Sequence, residues 1–268
     1  VKAWCVEREL SPYDPDEEFG FLRNLVVREG RATGQTLVRM VTSSKEPEFG
    51  FDTAGFVAAL GTLDPPVDSV VWTRSDNPGN WQLGARNKAL HGKPYVEEEI
   101  LRLNFRISPD AFFQTNSAQT EKLYETAIEF AELTGRERVF DLYCGSGTIG
   151  IAMADRAKHV WGIEIVEAAI ADAKVNANLN GVVDAEFIVG DARLALPALI
   201  EEVGNPDVAI VDPPRAGLSQ KVVRRVMEAA PKRIVYVSCN PDTLAPNLKQ
   251  MAESGYELRR VRPVDMFP

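Results

Sequence analysis

Residues 138–150 read RVFDLYCGSGTIG. The apolar run RVFDLYC (138–144) has the character of a buried strand. Gly145, Gly147 and Gly150 follow with the spacing GxGxxG, and GTIGIAMADRA (147–157) continues as a helix. In a strand–turn–helix of this kind, glycines permit a tight turn and let a ligand approach the backbone closely. The pattern repeats downstream. HVWGIEI (159–165), DAEFIVGD (184–191), PDVAIVDPP (206–214) and KRIVYVSC (232–239) read as strands, as does YELRRVRPV (256–264). Helical stretches separate them: 166–181, 195–203, 219–230 and 241–254. Apolar strands alternating with helices predict an α/β fold, a parallel sheet covered on both faces. Ligands of such sheets sit outside the carboxyl ends of the strands, so the strand-end residues are the ones to inspect.

Upstream, SAQTEKLYETAIEFAEL (117–133) is an amphipathic helix with Leu123, Ala127, Phe130 and Ala131 on one face. Before it the style changes. FLRNLVVREG (21–30) and QTLVRMVTSS (35–44) predict a hairpin around RATG, and DTAGFVAALGTL (52–63) predicts a helix capped by Asp52 or Thr53. DSVVWTRS (68–75) and EEEILRLNFRIS (97–108) each predict one strand. At roughly 150 residues per domain, the length of 268 residues allows two. The boundaries read as 1–108, a smaller α+β domain, and 109–268, the α/β domain.

A hydrophobic share of 45% with 26% charged residues excludes a disordered tail or a collagen-like repeat. No apolar run approaches the ~18 residues needed to cross a bilayer. Cys5, Cys144 and Cys239 form no CxxC pair, so no metal or iron–sulfur site is expected within this chain, and a reduced, cytoplasmic setting is. The formal charge of −9 argues against indiscriminate nucleic-acid binding. It is uneven, +5 over 215–268 and −14 over 1–214, so an anionic partner is expected to touch the last fifth.

The strand ends carry the chemistry. Glu164 closes the second strand, where a carboxylate can accept both hydroxyls of a ribose; Asp191 closes the third, where an adenine amino group can donate to it. These features suit a nicotinamide dinucleotide and S-adenosylmethionine equally. VDPPRAG (211–217) ends the fourth strand with Asp212, and its prolines stiffen a turn that carries Arg215. YVSCNPDTL (236–244) ends the fifth with Cys239, just ahead of a helix whose first turn suits Pro241. A thiol at a helix N-terminus is favoured as thiolate, the nucleophilic form. SPDAFFQTN (108–116) adds Phe112, Phe113 and Gln114 before the first helix.

Together DLYCGSGTIG, VDPPRAG and YVSCNPDTL, with FFQTN ahead of them, resemble the S-adenosylmethionine-dependent RNA (uracil-5)-methyltransferases. The resemblance is close over 108–268 and looser over 1–108. It implies a Rossmann-like methyltransferase sheet, a tRNA or rRNA partner, S-adenosyl-L-methionine as cofactor and Cys239 as nucleophile. It also implies cofactor contacts at Gln114, Tyr143, Gly145, Gly147, Thr148, Glu164, Asp191 and Asp212. In the family a proton-accepting glutamate and a last, antiparallel strand follow DMFP (265–268). The expectation is therefore a partial sheet without that base, less stable than a chain extended through the strand. A monomer with no membrane contact is expected. The alternatives are a nicotinamide-dependent oxidoreductase and a non-catalytic RNA-binding fragment.

Overall fold

The computed structural model describes residues 1–82 and 84–267. The chain forms two compact units, one of 1–99 with 106–110 and one of 100–105 with the chain from 111 onward. The first contains α1 (Lys2–Glu7), β1 (Leu22–Glu29), β2 (Thr36–Thr42), α2 (Thr53–Leu60), β3 (Ser69–Arg74) and β4 (Arg86–His91). They make a four-stranded sheet in the order β1-β2-β3-β4. β2 and β3 run parallel, so the chain must cross over between them, and α2 is that crossover. Asp52 opens α2 by accepting the Gly55 N–H at 2.8 Å. On one sheet face Val38, Met40, Val70 and Trp72 pack with Phe51, Phe56 and Leu60.

The next residue of β2 in the alternation, Arg39, is 1% exposed. Its guanidinium donates to Thr73, Asn87, Asp110 and the Pro109 carbonyl, and lies 4.7 Å from the Trp81 ring centroid. Burial pulls the Arg39 pKa down, opposed by Asp110. A buried cation persists only when it is paired and hydrogen-bonded in this way.

EEEILRLNFRIS forms two strands rather than one: β5 (Val96–Ile100) and β6 (Leu103–Ile107) pair as a hairpin. Leu101 and Arg102 turn the chain, both with positive φ, as a type I′ hairpin turn requires. Neither is the glycine or asparagine that announces such a turn, so the alternation reads straight through it. α1 and β4 also lie outside the sequence-based expectations.

The second unit holds α3 (Ser117–Ala131), β7 (Arg138–Leu142), α4 (Thr148–Met153), β8 (His159–Glu164), α5 (Glu167–Leu179) and β9 (Ala185–Val189). It continues with α6 (Ala192–Val203), β10 (Val208–Val211), α7 (Gln220–Ala229), β11 (Arg233–Tyr236) and α8 (Pro241–Glu253). The five strands are parallel in the order β11-β10-β7-β8-β9. Val139, Val160, Val208 and Ile210 face α3, α4 and α5, whereas Phe140, Leu142, Ile163 and Val211 face α6, α7 and α8. Both faces are thus dry, which is why the strands read as continuous apolar runs.

YELRRVRPV is not a strand: 256–264 pair with no strand among the described residues. Two of its three arginines turn instead to α3 and the residue that follows it. Arg260 donates to Glu132 and Arg262 to Glu129, each at 2.6 Å, and both guanidinium groups lie over the Phe130 ring. The Tyr256 hydroxyl donates to the Pro231 carbonyl at 2.6 Å. Side-chain contacts with a helix have replaced ladder bonds. Pro268, the last residue of DMFP, lies outside the described residues.

The Arg39 network yields a stability prediction. Arg39→Leu is expected to lower the unfolding free energy by about 3 kcal/mol, because it strands the polar partners of a buried cation. Urea unfolding of the variant reads the effect, and an unchanged midpoint would show that the network contributes nothing.

Candidate functional site

The parallel register brings the strand ends into one line. Ile188, Ile163, Leu142, Val211 and Tyr236 are successive partners across the sheet. One residue further along lie Glu164, Tyr143, Asp212 and Val237. The ladder holds this next level too. The N–H groups of Tyr143, Asp212 and Val237 donate to the carbonyls of Ile163 (2.9 Å), Leu142 (3.3 Å) and Val211 (2.9 Å). β10 and β7 are where the strand order reverses, the position at which doubly wound sheets open a ligand crevice.

The turn after β7 is left-handed at Tyr143, Gly145 and Gly147. Glu164 accepts the Gly145 N–H at 3.3 Å and the Val166 N–H at 2.9 Å, which fixes its carboxylate at the end of β8. A Cβ built on Gly145 would meet no atom within 4 Å, so that backbone face is open. Gly147 is closed: a Cβ there would press on the Phe187 ring at 2.9 Å. Thr148 begins α4 with its hydroxyl 2.8 Å from that of Tyr124, on the α3 side of the sheet. Asp191 caps α6 by accepting the Arg193 N–H at 2.8 Å.

Tyr143, Glu164 and Asp191 line one concavity of about 340 Å³, together with Ile163, Ile165 and Lys221 among others. Burial raises the Tyr143 pKa, and the charges of Asp191 and Glu164 raise it further. Gln114, in the loop before α3, is not in that lining, nor are Asp212 and Cys239. Asp212 directly follows β10 and Cys239 lies between β11 and α8, both on the other side of Tyr143 in the sheet order. Burial raises the Asp212 pKa to about 7. Cys239 is exposed, one residue before Asn240, the N-cap of α8, while Cys5 and Cys144 are buried.

Several residues at the site were not singled out from the sequence. Asp141, on β7 itself, is 1% exposed. One of its oxygens accepts the Gly150 N–H at 3.0 Å and the other has no partner. Burial, then the charge of Asp212, raises its pKa to about 8, against the pull of the Gly150 bond. An acid inside an apolar strand was its visible signal. Tyr236 ends β11, and burial raises its hydroxyl pKa, opposed by a hydrogen bond with the Leu218 backbone and aided by the charges of Tyr143, Asp212 and Cys239. Asn247 sits with Leu244, Leu248 and Met251 on one stripe of α8, and a polar residue in that stripe was its signal.

The charge of the last fifth is mostly spent internally. Among the described residues, eight of its ten cations lie within 4.0 Å of a carboxylate, leaving Arg215 and Lys221. No group of three or more metal-ligating side chains occurs among the described residues. None of the helices described is long and apolar enough to cross a membrane.

The sheet order, with its reversal between β7 and β10, is that of the Rossmann-like fold of class I methyltransferases. Residues 85–268 match the family model for tRNA (uracil-5-)-methyltransferase, and the chain belongs to that family. It is 41% identical over its whole length to an uncharacterized RNA methyltransferase of Halalkalibacterium halodurans, and 40% identical to one of Clostridium acetobutylicum. The chain spans 58% of the length of each of these relatives. Among solved structures it resembles the Pyrococcus abyssi tRNA (uracil-54, C5)-methyltransferase in complex with S-adenosyl-L-homocysteine. That likeness has a TM-score of 0.78 at 34% identity, covering 100% of this chain and 62% of the other.

The buried acid gives a pH prediction. Asp141 keeps its proton when folded up to about pH 8 but loses it near 3.8 when unfolded. The folded state therefore binds more protons in that window, and the unfolding free energy falls as pH rises through it. Asp141→Asn keeps an acceptor for Gly150 and is expected to flatten the fall. Denaturant midpoints measured across the window check this, and equal slopes for the two proteins would count against it.

Proposed function

We propose that this chain forms the methyl-transfer portion of an enzyme that moves a methyl group from S-adenosyl-L-methionine to carbon 5 of a uridine in tRNA or rRNA. The observation that carries the reading is an exposed thiol, Cys239, just before α8 and two residues beyond Val237, which stands level with Asp212 across the sheet, while Tyr143 of the next strand lines a nucleoside-sized concavity. The open face of Gly145 and the fixed carboxylate of Glu164 suit a ribose, and Tyr143 and Asp191 suit the adenine beside it. Gly147 and Thr148 shape the turn, and Gln114 contacts the cofactor from the loop before α3.

The electrostatics favour this cofactor over a dinucleotide. Asp141 feels Asp212 and Glu164, and Tyr143 feels Asp191 and Glu164, all raising their pKa values. A pyrophosphate at the glycine turn would add negative charge where acids already repel one another. A sulfonium cation relieves that repulsion.

S-Adenosylmethionine supplies an electrophilic methyl carbon. The Cys239 thiolate adds to carbon 6 of the uracil, forming an S–C bond and moving the electron pair of the 5,6 double bond into an enolate. Carbon 5 then takes the methyl group, leaving S-adenosylhomocysteine. A base removes the proton from carbon 5, the S–C bond breaks and the double bond returns; we assign none of these residues as that base. The nucleophile splits one difficult step into easier ones. Asp212, at the end of β10, serves the cofactor or the uracil, two roles that its position does not separate, and the target nucleotide leaves its stack to reach the thiol.

RNA containing 5-fluorouridine tests the mechanism, since fluorine cannot leave as a proton. A covalent adduct is expected that Cys239→Ala abolishes. An adduct that persists in the variant would show a different nucleophile. S-Adenosylhomocysteine should raise the melting temperature, and Glu164→Ala should weaken that binding by at least about tenfold, the loss of one charge-assisted bond of ~1.5 kcal/mol.

A further inference from the structure

We infer that Asn247 and Thr243 of α8 are positioning residues that clamp the loop 212–218 onto the start of α8 and so set the separation between Asp212 and Cys239. The inference rests on the functional reading above.

Asn247 is 7% exposed on the otherwise apolar stripe of α8. A leucine there would serve helix packing as well and would need no partners. Asn247 has three. Its amide oxygen accepts the Leu218 N–H and the Tyr236 hydroxyl, each at 2.9 Å. Its amide nitrogen donates to the Leu218 carbonyl at 3.0 Å. Both polar groups of one peptide residue, at the end of the DPPRAG loop, are thus held by one side chain.

The other end of the clamp is the Arg215 carbonyl. It accepts from the Asn240 side-chain amide at 3.2 Å and lies 3.1 Å from the Thr243 hydroxyl, whose one proton is shared with the Asn240 carbonyl at the same distance. Between these two anchors Gly217, at φ +73°, lies directly against the helix: a Cβ there would stand 2.9 Å from Asn247 Oδ1 and 3.0 Å from Thr243 Cβ. The loop has no slack toward α8. Asp212 is fixed at its far end by the ladder bond to Leu142, and Cys239 by its place between the end of β11 and the Asn240 cap. Two chain segments that carry the reacting groups are therefore tied to each other and not only to the sheet.

A displacement of ~1 Å between reacting groups can cost ~100-fold in rate. Asn240, Thr243 and Asn247 themselves are not in the lining of the concavity that holds Tyr143, Glu164 and Asp191, so their loss should act on turnover more than on cofactor affinity.

The test uses the full-length protein. Thr243→Val keeps the side-chain shape of a half-buried residue and removes only the hydroxyl; Thr243→Ser keeps the hydroxyl. Asn247→Asp opposes a second oxygen to the Leu218 carbonyl. Thr243→Val and Asn247→Asp are expected to lower kcat for uridine methylation, and the rate of adduct formation on 5-fluorouridine RNA, by about tenfold or more. The Kd for S-adenosylhomocysteine should stay within about twofold, and Thr243→Ser should recover most of the rate. Wild-type activity with unchanged kcat in Thr243→Val, or an equal loss in Thr243→Ser, overturns the clamp alone. A wild-type protein that neither methylates uridine nor forms the adduct overturns the functional reading, and the clamp with it.

Discussion

The hydrogen-bond register of β10 between β7 and β11 is the constraint on which the site depends. In a parallel sheet the side-chain period is two, so a slip of one residue would exchange the faces of Val208 and Ile210 with those of Ala209 and Val211. Two separate cores would then be misfilled at once, since the first pair packs toward α3, α4 and α5 and the second toward α6, α7 and α8. Burial on both faces therefore specifies the register strongly. The same specification fixes where Leu142, Val211 and Tyr236 end, and hence where the turns that carry Tyr143, Asp212 and Cys239 begin.

Crowding the strand ends with acids has an electrostatic consequence. Asp141 lies in the dry layer beneath the rim and ties β7 to α4 through Gly150. Asp212 sits in the rim itself, and its charge is one of the causes that hold the proton on Asp141. Each additional carboxylate makes ionising the next one harder. The site is therefore poised to accept positive charge and to resist further negative charge. A phosphate-rich ligand at the glycine turn would add to that negative charge, and a cationic one would offset it.

The second unit's alternation was legible because its central strands are largely apolar on both faces and end near a glycine, proline or acid. Glu164, Asp191 and Asp212 were legible for the same reason, as polar residues closing apolar runs. What was hidden depends on partners distant in sequence. EEEILRLNFRIS concealed a turn because Leu101 and Arg102 adopt a left-handed conformation without the residues that favour it. YELRRVRPV has the composition of a strand, but strand character is settled by a neighbour's backbone, and here Glu129, Glu132 and Phe130 bind its side chains instead. Asn247 could be seen as an odd residue in α8. Nothing in its neighbourhood in sequence named Leu218 and Tyr236 as its partners.

Charge shows the same limit. The +5 of residues 215–268 suggests a basic surface, but pairing with nearby carboxylates neutralises most of it over short distances. Paired charges on a surface produce little field beyond a Debye length of about 8–10 Å. Arg215 and Lys221 remain outside such pairs among the described residues. Arg215 belongs to the stiff loop that follows Asp212, and Lys221 lines the concavity beside Glu164 and Asp191. Both of these cations follow β10, at the carboxyl end of the sheet, and their place says more about the site than the net charge of the chain does.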